Sequence, residues 1–237
     1  MHSLNKKRFL VIGGSSGIGL AVAKLASGAG ADVTIASRFR SNLDRALADI
    51  QNGVAAAELN TGDETAVRHF FSSTAPWDHI VISAAQTPTG PLRALNLDDA
   101  RSAMESKFWG AHHVARAANF NEGGSLTFVS GFLSVRPSAG AVLQGAINAA
   151  LEALARGLAL ELAPTRVNTV SPGIIKTPLW DSVPKETRDA IFADAAAHLP
   201  VRRIGQPEDI ANAVLFLTTT PFATGSTVLV DGGGAIS

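Results

Sequence analysis

The sequence predicts an α/β protein built on one doubly wound parallel sheet. Three observations predict it. Short, wholly apolar runs alternate with longer helical patterns along the 237 residues. A run without in–out alternation belongs to a strand covered on both faces, the condition of a parallel sheet between helix layers. The alternation continues nearly end to end, and no Pro/Ser/Gly-rich linker, repeat or low-complexity tract divides it. One domain over 1–237 is therefore expected. Right-handed crossovers then wind the sheet in both directions.

The elements follow in order. Phe9–Ile12 reads as a buried strand and Gly17–Ser27 as the helix after it. Asp32–Ala36 is the second strand, followed by a helix over Ser41–Ile50. Val54–Leu59 is the third strand, Asp63–Ser72 a helix, and His79–Ser83 the fourth strand. A long helix is expected over Leu97–Asn119, a strand over Ser125–Ser130, and helix through most of Gly140–Ala163. Arg166–Val170, Pro207–Leu217 and Thr227–Val230 complete the pattern as strand, helix and strand. The stretch 177–203 breaks the rhythm, with Leu179, Trp180, Val183, Ile191 and Phe192 among polar residues. It reads either as a surface excursion with a short helix or as a lid over an apolar substrate.

Composition narrows the function. With 46% apolar residues and 17% charged, the chain can bury a sizeable core. Lys plus Arg equals Asp plus Glu, 20 each, which argues against a nucleic-acid or anionic-membrane partner. Cysteine is absent, so disulfides, thiolate nucleophiles and cysteine-bound metals are excluded. No His/Asp/Glu cluster has metal-ligand spacing. The basic start leads into too short an apolar run for a signal peptide, and no stretch approaches the roughly 20 residues of a membrane span. A cytoplasmic location is expected. Tyrosine is absent too, with a consequence for catalysis described below.

Gly13-Gly14-Ser15-Ser16-Gly17-Ile18-Gly19 joins the first strand to the first helix. Glycines there let backbone turn sharply and approach a pyrophosphate, and the helix N-terminus offers free N–H groups. Such a cluster alone also occurs as a tight turn; its place on the first strand favours a dinucleotide and a Rossmann fold. NAD sites usually carry an acid at the end of the second strand. Here the segment is Ser37-Arg38-Phe39-Arg40-Ser41-Asn42. Arg38 can pair with a 2′-phosphate, which points to NADP(H). The bland alternative is that both arginines are solvated loop residues.

At this point the chain resembles the short-chain dehydrogenase/reductase family over nearly its whole length. The glycine loop, Asp63-Glu64, Arg166-Val-Asn-Thr-Val-Ser-Pro-Gly173, Thr177-Pro178, Arg203-Ile-Gly-Gln-Pro-Glu-Asp-Ile210 and Val230-Asp-Gly-Gly233 carry the resemblance, in the family's order. It implies a seven-stranded sheet, a homodimer or homotetramer, and an NADP(H)-dependent oxidoreductase for a small carbonyl or alcohol, here an apolar one. By position it implies that Gly13, Ser15, Ser16, Gly17, Ile18 and Gly19 line the phosphates and that Ser37 and Arg38 meet the ribose. Asn60, in place of the usual aspartate, meets the adenine. Pro172, Gly173 and Thr177 hold the nicotinamide end. The family's Asn-Asn-Ala-Gly, which supports the sheet and the cofactor ribose, is replaced by Ile82-Ser83-Ala84-Ala85, so the resemblance puts Ser83, Ala84 and Ala85 beside the cofactor.

The resemblance also locates four catalytic positions, and all four are rewritten. Gln144 stands for the tyrosine, Asn148 for the lysine, Gly131 for the serine and Lys107 for the asparagine. Lysine and asparagine have changed places, so the ammonium is expected to arrive from the long fourth helix. Lys107 would then hold ribose hydroxyls, bias a water or donate a proton. Against this, lysine is usually an exposed helix residue; the neighbours Phe108, Trp109 and Gly110 argue for a buried face. Gln144 and Asn148, four apart, would face the same space, where Gln144 can donate an N–H but no proton. Ser130 is the remaining hydroxyl, expected to face opposite residue 131 and so a weak substitute. His112 and His113 read as structural. Besides the enzyme reading, the replacements fit a non-catalytic NADP(H)-binding sensor or structural partner. They also fit, less well, an enzyme whose substrate carries its own proton donor.

Overall fold

The computed structural model describes residues 3–50 and 53–237. Seven parallel strands form one sheet in the order β3-β2-β1-β4-β5-β6-β7. They are β1 (Arg8–Ile12), β2 (Asp32–Ser37), β3 (Ala55–Glu58), β4 (Trp77–Ile82), β5 (Phe120–Val129), β6 (Arg166–Pro172) and β7 (Thr227–Val230). The helices between them are α1 (Gly17–Gly28), α2 (Arg40–Asp49), α3 (Glu64–Ser73), α4 (Leu97–Met104), α5 (Gly110–Ala117), α6 (Val142–Glu161), α7 (Lys185–His198) and α8 (Pro207–Thr219). The doubly wound sheet predicted from the alternation is present.

The period of 2 along a strand sorts β1 between two cores. Phe9 and Val11 join Val22, Ile35, Ile210 and Val214 on the face covered by α1 and α8. Leu10 and Ile12 join Val67, Phe71, Val114 and Leu151 beneath α3, α5 and α6. Both faces are therefore dry, which is why these strands read as unbroken apolar runs. Chain order reverses between β1 and β4, and in such sheets the crevice beyond the strand C-termini at this switch point is the binding position.

Three elements depart from expectation. β4 begins at Trp77 rather than His79, because Asp78 is accommodated in the sheet. Asp78 accepts from Lys7 Nζ at 3.0 Å and the Arg8 amide at 2.9 Å, and His79 Nδ1 lies 2.9 Å from Ser125 Oγ. β5 starts at Phe120 rather than Ser125, with Gly123 at φ +77°. The long helix expected over Leu97–Asn119 is interrupted. A π-helical turn spans Glu105–Trp109, and α5 stops at Ala117 because Ala118 turns extended. Close approach accompanies the interruption: a Cβ on Gly110 would lie 2.7 Å from Thr61 Oγ1. The stretch 177–203 folds as a short 3-10 turn, Pro178–Ser182, then α7. Among the described residues no helix is long and apolar enough to cross a membrane.

Candidate active site

A cleft of about 1230 Å³ opens at the switch point. Its walls include every residue assigned to the nucleotide from sequence: Gly13, Ser15, Ser16, Gly17, Ile18, Gly19, Ser37, Arg38, Asn60, Ser83, Ala84, Ala85, Pro172, Gly173 and Thr177. Lys107, Ser130, Gln144 and Asn148 line the same cleft.

The glycine loop is tight against its neighbours. Gly13 has φ +85°, and a Cβ there would sit 2.5 Å from the Ala84 amide nitrogen. A Cβ on Gly19 would lie 2.1 Å from the Gly13 carbonyl oxygen. Glycine is required at both by contact, and at Gly13 also by backbone angle. Ser83 packs beneath the loop: its amide donates to Ile12 O at 2.9 Å, which continues the β1–β4 pairing. Helix α1 starts with no side-chain cap from Ser16 and no acid in its first turn. Its first N–H groups, at the cleft, are therefore not claimed by a capping side chain.

At the end of β2, Ser15 Oγ donates to Ser37 Oγ at 3.2 Å. Arg38 reaches across to Gln86, Nη2 to Oε1 at 3.0 Å, and lies 5.4 Å from the Phe39 ring centre. Arg40 instead pairs with Asp44 on the α2 surface at 2.8 Å, so the two arginines separate into a cleft residue and a helix-surface residue. The Asn60 amide oxygen accepts from the Gly62 N–H at 3.2 Å, which shapes the turn after β3.

At the other end of the cleft, Lys107 is only 7% exposed. It is the one buried side chain of the π turn. Nζ donates to Asn148 Oδ1 and to the Ser130 carbonyl oxygen, both at 2.7 Å. Burial pushes its pKa down to about 8, while the Glu152 carboxylate pulls upward. Asn148 is 1% exposed, on α6. A Cβ on Gly131 would lie 2.7 Å from Asn148 Nδ2, so the position that resembles the family serine is bare where that amide sits. Gln144, one turn before Asn148, has Nε2 3.4 Å from Thr87 Oγ1.

Ser130 has two separate roles. Its carbonyl serves Lys107, and its hydroxyl donates to Glu152 Oε1 at 2.8 Å. That hydroxyl is committed to a carboxylate, which fits the expected orientation away from residue 131. His113 Nδ1 lies 3.0 Å from the Thr61 carbonyl oxygen, a contact between α5 and the turn after β3.

Several cleft residues were not singled out from the sequence: Gln86, Thr87, Phe132, Leu133, Arg136 and Ile174. Arg136 donates to the Gly234 carbonyl at 2.9 Å. Their loops carry no spacing signal. Glu152 is different, since four residues after Asn148 on one helix is a readable spacing. Leu179 and Trp180, from the 3-10 turn, line the cleft. Trp180 Nε1 donates to Ile175 O at 3.0 Å, and its ring meets Phe192 of α7 edge-on at 5.2 Å.

Fold and cleft together define a Rossmann-type α/β protein whose site lies at the carboxyl ends of β1 and β4. A family model described as enoyl-(acyl carrier protein) reductase matches residues 13–234. A short-chain dehydrogenase/reductase, ATR9 of Stachybotrys chlorohalonatus, is 34% identical over 98% of both chains. Among solved structures, a small-chain dehydrogenase in complex with NADPH is 33% identical, with TM-score 0.83 over 98% of this chain and 100% of its own. A short-chain oxidoreductase from Pseudomonas aeruginosa PAO1, described as containing an atypical catalytic center, is 26% identical with TM-score 0.89 over 100% and 99% of the two chains. The chain belongs to the short-chain dehydrogenase/reductase family, a family of oxidoreductases.

Proposed function

We propose that this protein is an NADP(H)-dependent oxidoreductase for an apolar carbonyl or alcohol, in which Lys107 takes over proton transfer. The observation that carries the reading is the buried Lys107 amine, held between Ser130 O and Asn148 Oδ1 in the wall of the cleft.

The residues present fit the dinucleotide. Gly13 and Gly19 admit no Cβ against Ala84 and the Gly13 carbonyl, so the loop backbone stays bare where a pyrophosphate would pass, and the uncapped α1 terminus supplies N–H donors. Ser15, Ser37 and Arg38, with no carboxylate among them, suit a 2′-phosphate. When bound, the nicotinamide supplies the hydride.

The chain's own part is orientation and the proton. An ammonium has three N–H donors, and two are taken by Ser130 and Asn148. The third is left for a substrate oxygen. With its pKa near 8, Lys107 is protonated at neutral pH yet a far better acid than an exposed lysine. In reduction, carbon gains the hydride and oxygen gains a proton from Nζ, giving the alcohol and a neutral amine. Gln144 donates an N–H to the same oxygen without transferring a proton. Leu179 and Trp180 give the substrate an apolar wall and exclude water, the lid role of 177–203.

The test is NADPH consumption against a panel of apolar aldehydes and ketones, with wild type, Lys107→Ala and Gln144→Ala. Turnover should fall about 10²–10⁴-fold in Lys107→Ala and less in Gln144→Ala. Tight NADPH binding without turnover of any panel member would instead support the non-catalytic sensor, the reading favoured by the loss of the tyrosine.

A further inference from the structure

Glu152 lies one turn beyond Asn148 on α6 and is 7% exposed. Its Oε1 accepts three hydroxyls: Ser134 Oγ at 2.7 Å, Ser130 Oγ at 2.8 Å and Ser171 Oγ at 3.1 Å. The donors come from the residue after β5, the turn that follows it, and β6. A carboxylate taken out of water needs such donors or a counterion to stay ionised. Ser130 joins the two buried charges, because its carbonyl seats Lys107 Nζ while its hydroxyl binds Glu152.

We infer that Glu152 is the positioning residue for Lys107: it anchors Ser130, and through it the carbonyl that seats the amine, and supplies the buried countercharge to the ammonium. This deepens the proposed function and rests on it for its catalytic consequence. Glu152 touches Ser130, Ser134 and Ser171 rather than the cleft's reacting end, so it acts through Lys107.

The charges facing this corner are few. The π turn contributes buried Lys107 and exposed Glu105, α6 contributes buried Glu152, and Arg136 lines the same cleft. The residue after β5, its turn and β6 contribute serine hydroxyls that do not titrate near neutral pH. Of these, the buried Glu152 carboxylate is the one that raises the Lys107 pKa. Its sign opposes the effect of burial. Without it, the amine would lose its proton at lower pH, and the acid required for reduction would be depleted near neutrality.

The experiment is an NMR titration of the Lys107 side chain, with ¹³C-labelled lysine in the full chain saturated with NADPH. Wild type, Glu152→Gln and Ser171→Ala are compared. Glu152→Gln keeps the shape and removes the charge; Ser171→Ala removes one hydrogen bond and keeps the charge. Glu152→Gln should lower the Lys107 pKa by about one unit or more, while Ser171→Ala leaves it nearly unmoved. The pH profile of NADPH oxidation should move by the same amount. A Lys107 pKa unchanged by Glu152→Gln, or shifted equally by Ser171→Ala, overturns the inference. Should Glu152→Gln not fold, Ser130→Ala carries the test, since it cuts the anchor and keeps the carbonyl and both charges. Its kcat should then fall about tenfold or more with little change in KM; an unchanged kcat overturns the inference. The titration reads the coupling whether or not Lys107 is the proton donor. An intact shift with a dispensable Lys107 would therefore refute the proposed function alone.

Discussion

Lys107 Nζ donates to Asn148 Oδ1 at 2.7 Å, linking the π turn after α4 to α6 across the floor of the cleft. Family resemblance puts asparagine at the first position and lysine at the second. The two chemical types have changed places, and the side chains still meet. Geometry suits the exchange: the π turn carries Lys107 as its buried side chain, and bare Gly131 leaves space for the Asn148 amide. A π turn of this kind is often found at functional sites.

Restoring the family's serine should therefore be harmful. In Gly131→Ser the new Cβ would lie 2.7 Å from Asn148 Nδ2, and the amide is held by Lys107. We expect a loss of about 1–3 kcal/mol from overpacking. Combined with Asn148→Ala, the serine should cost clearly less than it does alone. A double-mutant cycle in urea checks this, and additive effects would show that the two sites do not meet.

Cofactor choice should follow Arg38. Among the described residues its guanidinium hydrogen-bonds Gln86 Oε1 and no carboxylate, so it is available to a phosphate. Arg38→Asp should weaken NADPH binding by roughly 10–100-fold, the scale of a lost charge-assisted hydrogen bond. NADH binding should improve. Calorimetric titration with both nucleotides measures it, and unchanged NADPH affinity would remove Arg38 from the site.

Acid sensitivity should come from His79. Burial holds its pKa down at about 4 against an ordinary value of 6.5, Asp78 partly opposing and Arg166 and Lys7 adding to the effect. The unfolded chain takes up a proton near 6.5 that the folded chain refuses until about 4. The stability from keeping the ring neutral is present above 6.5 and is lost as pH falls through that window, on the order of 3 kcal/mol. His79→Asn, which keeps a partner for Ser125, should flatten urea midpoints against pH over this range. A variant with the wild-type slope would place the sensitivity elsewhere.

Much of the fold was legible because β1 and the Ile80–Ile82 end of β4 are buried on both faces and leave apolar runs in the sequence. The glycine loop was legible for a steric reason, since only glycine survives at Gly13 and Gly19. The π turn was not. Glu105–Trp109 has ordinary helical composition, and the interruption accompanies a tertiary contact, the approach of Gly110 to Thr61. Long-range contacts likewise hid Gln86 and Arg136, whose loops carry no periodicity. Trp77 and Asp78 were left out of β4, since a carboxylate in a buried strand depends on partners far away in sequence, here Lys7 and Arg8. Glu152 was within reach of the helical spacing. What hid it was the convergence of three hydroxyls from the β5 end, its turn and β6.

The central claim is that the Lys107 amine supplies the proton. The most direct measurement is kcat for NADPH-dependent carbonyl reduction, scanned from well below to well above pH 8 in wild type and in Lys107→Met. Reduction needs the protonated amine, so wild-type kcat should fall as pH rises through about 8, the value to which burial pushes this lysine. That limb should vanish in Lys107→Met, leaving a low rate insensitive to pH there. Superimposable profiles for the two proteins would contradict the account.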